Sequence, residues 1–483
     1  MIYHFRLCLK NPYDQKLRLI RFVFGWMIFC TLGFGMSFDE LVINSLRKQN
    51  TQRNVETVVL LQYQPKNLFY LRKEEDYNFI KHRLLFMKSG YIELLELQDF
   101  SSINTVSVTD IIILGFIITI GEKVFVFNNT DESNDTLVEL NLSEMDRYSL
   151  FPGQVVAIRG RNLNGNEIIV QEIYDSPVLP VNFFDEGDRG NNLKDNNFSV
   201  CFISGPFNNN VKPDEINSTD IYDRLFLSLD SIMTIDASYL VVLGPFIESR
   251  FLNSCLDLER VKDIFMAKMN TWINKKPFRK IITVPSTEDV HTLGMYPCAS
   301  IDDGQNASFI NLSNPTQFYI GDVLFSVCTY DILLHMSSTE IFFDINENVS
   351  LPESEISHRL DNIPKINPNS LDSCTPKVPK KSKRIERLSA HMIYQRSFLP
   401  CFPPRNIVSI NRPECFDMNI APDFFIISSK LKTFIQKDKG PFTVVNIGCQ
   451  PNISNKQVLR ITVNNRDSSS EERFNAVFEK YNK

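Results

Sequence analysis

The sequence predicts a multidomain α+β protein in which a small β-barrel is joined to an α/β sandwich-type domain. Three observations carry this prediction. The chain has 483 residues, more than one hydrophobic core usually organises, so two or three domains are expected. Residues 103 to 180 break into short β-like runs separated by turn signals. From residue 199 onward, apolar runs alternate with helical segments, the grammar of a parallel sheet covered on both faces.

Each element has its own sequence support. Residues 1–54 form an N-terminal segment whose run FVFGWMIFCTLGFGM, residues 22–36, is uncharged and follows Lys10, Lys16, Arg18 and Arg21. It is short for a membrane span and suits a signal-peptide core or an upstream extension before a start at Met36. Residues 55–100 read as a helical connector in which Phe79, Ile80, Leu84, Leu85, Ile92, Leu95 and Leu97 recur near helical spacing. Residues 101–182 hold the runs IIILGFIITIG, KVFVFN, VVAIRGRN and EIIVQEIY. Asn128-Asn129, Pro152-Gly153 and Asn164-Gly165 separate them, the last as in a tight hairpin. So many strands in so short a stretch match an OB-fold in size.

Residues 183–466 form the second domain. The run Phe198–Ile203 leads to a helix around Ile221–Ile235 and then to the run Tyr239–Leu243. A helix with Leu258, Val261, Phe265, Met269 and Trp272 on one face follows, and KIITVPS ends at Ser286. Further strand-like runs lie at 317–329, 424–428, 442–447 and 458–463. Residues 350–389 are rich in Pro, Ser and charge without sustained periodicity, and read as an exposed insertion. Within them Lys377, Lys380, Lys381, Lys383 and Arg384 form a basic cluster, either a nuclear-localisation signal or a solvated loop. Residues 467–483 read as a tail.

Composition narrows the function. Lys plus Arg number 51 against 57 Asp plus Glu, a formal charge of −6. A binder that relied on the field of its whole surface to hold nucleic acid would be basic, so contact with DNA should be weak, local or made through a partner. The ten cysteines are scattered singly, which fits neither a zinc site nor a disulfide framework and favours a reduced intracellular protein. Sequons at Asn128, Asn141, Asn306 and Asn311 would suit a secreted glycoprotein, but heavy Asn usage produces them by chance. Among nucleophile candidates, Cys201 at a strand end has no nameable basic partner.

Two strand ends share one ending: SGPF at 204–207 and LGPF at 243–246. In an open α/β sheet the carboxyl ends of the strands are where ligands and chemistry sit, and here they carry Gly-Pro-Phe in place of a carboxylate or histidine. With these runs, the block Tyr148-Ser149-Leu150-Phe151-Pro152-Gly153-Gln154-Val155-Val156 resembles the signature of the DNA polymerase α B-subunit family. The strand ends Gly205-Pro206 and Gly244-Pro245-Phe246 match that family's paired Gly-Pro-Phe/Tyr elements. Further blocks follow in the family's order. They are Val284-Pro285-Ser286 with Asp289 and His291, Asp331 with His335, Gln395-Arg396-Ser397-Phe398 and Ala421-Pro422-Asp423. The resemblance runs from about residue 100 to 465.

The resemblance implies an OB-fold joined to a calcineurin-like phosphoesterase domain that has lost its metals. Active relatives hold two ions through D-x-H, G-D, G-N-H and G-H-x-H elements, and hard divalent ions need that carboxylate and imidazole shell. In their places stand Ser204-Gly205-Pro206, Gly244-Pro245, Pro285-Ser286 and Ile427-Ser428-Ser429. The implied protein is no enzyme, needs no cofactor or metal, and works in the nucleus as a scaffold subunit. Its partners would be the C-terminal domain of the polymerase α catalytic subunit and, through the complex, primase. The alternatives are a metal-dependent phosphoesterase or nuclease using Asp289 and His291, or the B subunit of another replicative polymerase. For Asp289, His291, His335 and His391 a structural hydrogen-bonding role is expected. For the barrel, whose aromatic and basic residues are Phe125, Phe127, Lys123, Arg147, Arg159 and Arg161, protein contact is expected ahead of single-stranded DNA. No counterpart of the family's N-terminal helical domain is recognisable in residues 1–54, and a replication subunit has no use for a signal peptide, so a start at Met36 is expected.

Overall fold

A computed structural model describes residues 59–60, 75–130, 137–177, 179, 197–208, 221–232, 235–254, 258–274, 278, 280–292, 294–301, 309–345, 384–437, 442–449, 457–464 and 473–480. The 22–36 run, Met36, Asn306, Lys377, Lys380, Lys381 and Lys383 lie outside the described residues.

In chain order, a two-residue strand β1 (Val59–Leu60) precedes helix α1 (Glu75–Leu95). Phe79, Arg83, Met87 and Tyr91, with Ile80 and Leu84, form the buried stripe of α1, while Leu85 points outward at 50% exposure. The phase of the stripe thus differs from the expected one, because Arg83 occupies a core position. The barrel strands follow as β2 (Ser107–Ile120), β3 (Lys123–Phe127), β4 (Leu137–Asn141), β5 (Arg147–Leu150), β6 (Val155–Asn162) and β7 (Glu167–Tyr174). Strands β2, β3, β4, β7 and β6 close in that order, and β4 and β7 run parallel. Asn164-Gly165 lies in the β6–β7 turn, with Gly165 at φ +83°. Alternate residues such as Ile113, Val126, Ile158 and Ile168 fill the interior. Leu114, Phe116, Val155 and Ala157 face outward and are covered by α1.

The second domain is a two-sheet sandwich. One sheet runs β11-β10-β9-β8-β18-β19, built from β8 (Phe198–Ser204), β9 (Tyr239–Leu243), β10 (Lys280–Val284), β11 (Phe309–Asn311), β18 (Gln457–Val463) and β19 (Phe474–Lys480). Strands β8, β9, β10 and β11 are parallel neighbours. Helices α2 (Asp223–Ile232) and α3 (Leu258–Ile273) cover its outer face through Leu225, Leu229, Val261, Phe265 and Met269. The other sheet runs β1-β12-β13-β15-β17-β16, with β12 (Thr316–Ile320), β13 (Val323–Cys328), β15 (Phe424–Ile427), β16 (Phe434–Lys437) and β17 (Thr443–Asn446). Helices α4 (Ile332–Thr339) and α5 (Arg384–Tyr394) cover its outer face. Between the sheets, Phe325 contacts the rings of Phe202, Phe318 and Phe424 at centroid distances of 5.6, 5.8 and 5.6 Å. Such runs of apolar residues on both faces suit strands buried in the middle of four layers.

Three expectations are corrected. Residues 474–480 of the expected tail are β19, an edge strand whose Phe474 packs edge-on against Phe424 at 5.2 Å. The expected insertion ends earlier than residue 389, because α5 begins at Arg384 and buries Leu388 and Ser389. Arg384 therefore belongs to a helix, where it bonds Ser337 O and pairs with Glu340 at 3.5 Å. Finally, the connector contributes β1, which pairs with β12. The barrel and sandwich are also stitched by a strand pair, β5 with β14 (Ile341–Asp344).

Candidate functional site

Two places gather the sequence motifs. The first is a cavity of about 190 Å³ at the carboxyl ends of the central strands, lined by Gly244, Pro245, Ser286, Asp331, Ser428 and Lys430 among others. The chain passes itself so closely there that only glycine fits. A Cβ on Gly205 would lie 2.0 Å from Pro245 O, and one on Gly244 2.2 Å from Asp289 Oδ2. Both Gly-Pro bonds, to Pro206 and Pro245, are cis. Phe246 is fully buried beneath them against Phe265, at 5.2 Å.

The polar groups at this end are held by hydrogen bonds. Ser204 Oγ and Ser428 Oγ are 2.6 Å apart, and Pro285 O accepts from Thr329 Oγ1 at 2.8 Å. Asp289 is buried, and its carboxylate accepts from the backbone N–H of Phe246 (2.8 Å), Ile247 (3.1 Å) and Ser286 (3.2 Å). Burial pushes its carboxyl up to about 7, while the three N–H donors pull the other way. His291 turns to other partners, with Nε2 2.8 Å from the Tyr222 hydroxyl and its ring beside Phe265. Asp331 caps α4 through Leu334 N and accepts from Lys430 N. His335 is buried in α4, but its Nδ1 has no hydrogen-bond partner among the described residues, so the hydrogen-bonding role expected for it is not met. Asp423 opens β15 by accepting from Leu324 N at 2.8 Å, next to buried Pro422. Among the described residues no group of three or more His, Cys, Asp or Glu is placed to hold a metal ion.

The second place is the joint between barrel and sandwich, where blocks about 240 residues apart in sequence meet. Gln395, only 1% exposed, accepts from Val155 N at 2.8 Å and donates to Val155 O and Ser176 Oγ, both at 3.0 Å. Val155 starts β6 beyond the point where β7 pairs with it, so the Gln395 amide takes the place of the missing strand. Arg396, at φ +51°, donates to Pro177 O at 3.1 Å. Ser397 is fully buried and accepts from Leu399 N. The Phe151-Pro152-Gly153 turn meets the following segment: Phe402 N donates to Pro152 O at 3.0 Å, and a Cβ on Gly153 would lie 2.4 Å from both Pro400 O and Phe402 N. Arg83 of α1 donates to Gln395 O at 2.6 Å, tying a third element to the joint.

A polar chain flanks this joint. Ser149 Oγ donates to Glu340 at 2.9 Å and lies 2.8 Å from His391 Nε2, while Arg387 pairs with Glu340. Burial alone would raise Glu340, but the Arg387 guanidinium and the Ser149 hydroxyl together hold the carboxyl below its ordinary value. Tyr148 stacks on Phe343 across the β5–β14 pair at 5.6 Å. Sequence reasoning missed Glu340, Arg387 and Arg83. Only Arg83 left a signal, as a cation on the apolar stripe of a helix.

On the barrel surface, Lys123, Arg159, Arg161 and Arg147 are matched by Glu139, Glu172, Glu144 and Asp344 at 2.8, 2.9, 3.5 and 3.4 Å. Phe125 and Phe127 are half-buried. The sequon residue Asn128 is buried and donates to Leu114 O at 2.9 Å. Cys201 is buried, and burial pushes its thiol up to about 12.

Fold and site together describe a barrel fixed onto an α/β sandwich whose strand ends hold hydroxyls and prolines. Comparison with known proteins agrees. Residues 200–436 match the family model of the B subunit of DNA polymerases alpha and epsilon, and residues 87–176 match the model of the OB domain of the DNA polymerase alpha B subunit. The B subunits of DNA polymerase alpha from several organisms are similar to this chain. That of Bos taurus is 27% identical over 68% of this chain and 49% of its own length, and that of Schizosaccharomyces pombe 24% over 62% and 48%. That of Saccharomyces cerevisiae is 25% identical over 55% of this chain and 35% of its own length. The chain belongs to the family of DNA polymerase alpha B subunits. It spans about half the length of the first two of these relatives.

The joint yields two predictions. Gln395→Ala leaves Val155 N–H buried and unpaired and should cost about 2–3 kcal/mol in urea unfolding, and Gln395→Glu, which also buries a charge, should cost more. A loss below about 0.5 kcal/mol for both would contradict the role assigned to the amide. Burial drives His391 down to about 4, whereas an unfolded histidine titrates near pH 6.5. Its stabilisation is therefore complete above pH 6.5 and is lost as pH falls toward 4. His391→Gln, which keeps a donor for Ser149, should lose about 1–2 kcal/mol less stability than the wild type between pH 7.5 and 5. Identical losses would show that His391 titrates in the folded protein as it does in the unfolded chain, which would contradict its burial as a neutral ring.

Proposed function

We propose that this chain is a non-catalytic scaffold subunit of DNA polymerase α–primase. In this reading it grips the C-terminal domain of the catalytic subunit, links it to primase and supports initiation of DNA replication in the nucleus. The sandwich is then a calcineurin-like phosphoesterase domain kept for its architecture. The observation that carries the reading is the donor set at the strand ends: Ser204, Pro245, Ser286, Thr329, Ser428 and Asn446. Hydroxyls, an amide and a proline do not make the carboxylate and imidazole shell that hard divalent ions require. The acid beside them, Asp289, has three backbone N–H donors on its oxygens.

Membership of the family supports the polymerase partner. The four basic side chains of the barrel, each paired with a carboxylate, leave little for a phosphate backbone, so DNA contact is weak or indirect. A lasting grip on the catalytic subunit would bury on the order of 2,000 Å² or more. Lys377, Lys380, Lys381 and Lys383 are offered as a nuclear-import signal, without Arg384, which is held in α5.

The test is co-expression of the full chain with the C-terminal domain of the same organism's polymerase α catalytic subunit. A one-to-one complex on a sizing column, formed without added divalent metal, is the expected result. Separate elution of a folded chain, or manganese-dependent phosphodiester hydrolysis lost in Asp289→Ala, would overturn the reading.

A further inference from the structure

The strand-end cavity has four charged side chains on its lining, Glu288, Asp331, Lys430 and Arg405. Three are matched locally. Lys430 Nζ lies 3.0 Å from Glu288 Oε1, and the oxygens of Asp331 accept from Lys430 N at 2.9 Å and Leu334 N at 3.0 Å. Among the described residues, the Arg405 guanidinium has no carboxylate or hydrogen-bonding partner.

The neutral groups of the lining show the same surplus of donors. The Thr287 hydroxyl has no partner among the described residues. Ser286 Oγ accepts from Glu288 N at 3.2 Å, and the Tyr330 hydroxyl accepts from Arg405 N at 3.2 Å. Neither O–H has an acceptor among the described residues. A planar guanidinium beside free O–H donors is the complement of an oxyanion, which it can take bidentately.

Size and charge select among oxyanions. A cavity of about 190 Å³ holds roughly six waters' worth of liquid at about 30 Å³ each, enough for a carboxylate and a few methylenes but below the several hundred Å³ of a typical cofactor pocket. One unmatched cation suits a monoanion. A phosphate dianion would meet the same single cation with the charges of Glu288 and Asp331 close by. Leu334 gives the lining an apolar side chain for the methylenes that carry the anion.

We propose that this cavity receives a carboxylate of a partner polypeptide, held by Arg405 and by the hydroxyls of Ser286, Thr287 and Tyr330. The site is independent of the polymerase reading, since co-elution with the catalytic subunit and carboxylate binding can each fail without the other. The test uses the full chain with 15N-labelled arginine, followed through the Arg405 Nε–H signal. The probes are N-acetylglutamic acid amide for a side-chain carboxylate, N-acetylglycine for a chain terminus, N-acetylglutamine amide as the neutral control and inorganic phosphate. Saturable millimolar binding of either carboxylate probe is expected, at least tenfold weaker in Arg405→Ala and also weakened in Thr287→Val. The tighter of the two probes identifies the source. Arg405 is exposed on its loop, so its variant should match the wild-type melting temperature. Absence of saturation, equal binding of the glutamine amide, or tighter binding of phosphate would each overturn the proposal.

Discussion

A single side-chain amide closes the gap between the two halves of this protein. Barrel strand β6 begins before its neighbour β7 can pair with it, leaving both backbone groups of Val155 without a ladder partner in a buried place. Gln395 supplies a donor and an acceptor at the right spacing. A glutamine side chain ends in the same chemistry as a peptide unit, so it can stand in for a strand. Without it the Val155 N–H would be buried and unsatisfied, at a cost of about 1–3 kcal/mol, and Val155 O would keep only the Tyr91 hydroxyl at 3.3 Å. Around this contact the Phe151-Pro152-Gly153 turn, the Arg396 contact with Pro177 and the Arg83 contact from α1 all take their places. The β5–β14 pair and the Ser149–Glu340–Arg387 chain add a second seam.

The strand ends obey a different constraint. Gly205 and Gly244 are demanded by close backbone approach, not by room for a ligand. Asp289 anchors the two turns that follow β9 and β10 by accepting from three backbone N–H groups. An acid in that role is a structural brace, and its oxygens are committed. What remains open to solvent is a small cavity whose unmatched groups are donors, a surface suited to recognition.

Much of the architecture was legible because it is written in local periodicity. The parallel strands β8, β9 and β10 and the helices between them each carry their own apolar pattern, and Val261, Phe265, Met269 and Trp272 fall on one buried face as spaced. The phase of α1 was misread because its buried stripe includes Arg83, which periodicity counts as polar. β14 and β19 were not legible: one is four residues long and gains meaning only from β5 nearly 200 residues earlier, and the other follows a charged run that reads as a tail. The motif blocks marked the right residues, but nothing in the spacing of Gln395 and Val155 told that they touch. The roles of Glu340 and Arg387 likewise depend on tertiary placement, so no short pattern announces them.

A barrel and a sandwich joined through the Gln395 contact should open as one unit. Native-state hydrogen exchange on the full chain tests this most directly, by comparing amides of barrel strands β2 and β6 with those of sandwich strands β13 and β15 across a urea series. Both sets should converge on one opening free energy and one denaturant slope, the signature of a single cooperative unit. Two separate global isotherms, with the barrel opening while the sandwich stays protected, would contradict it.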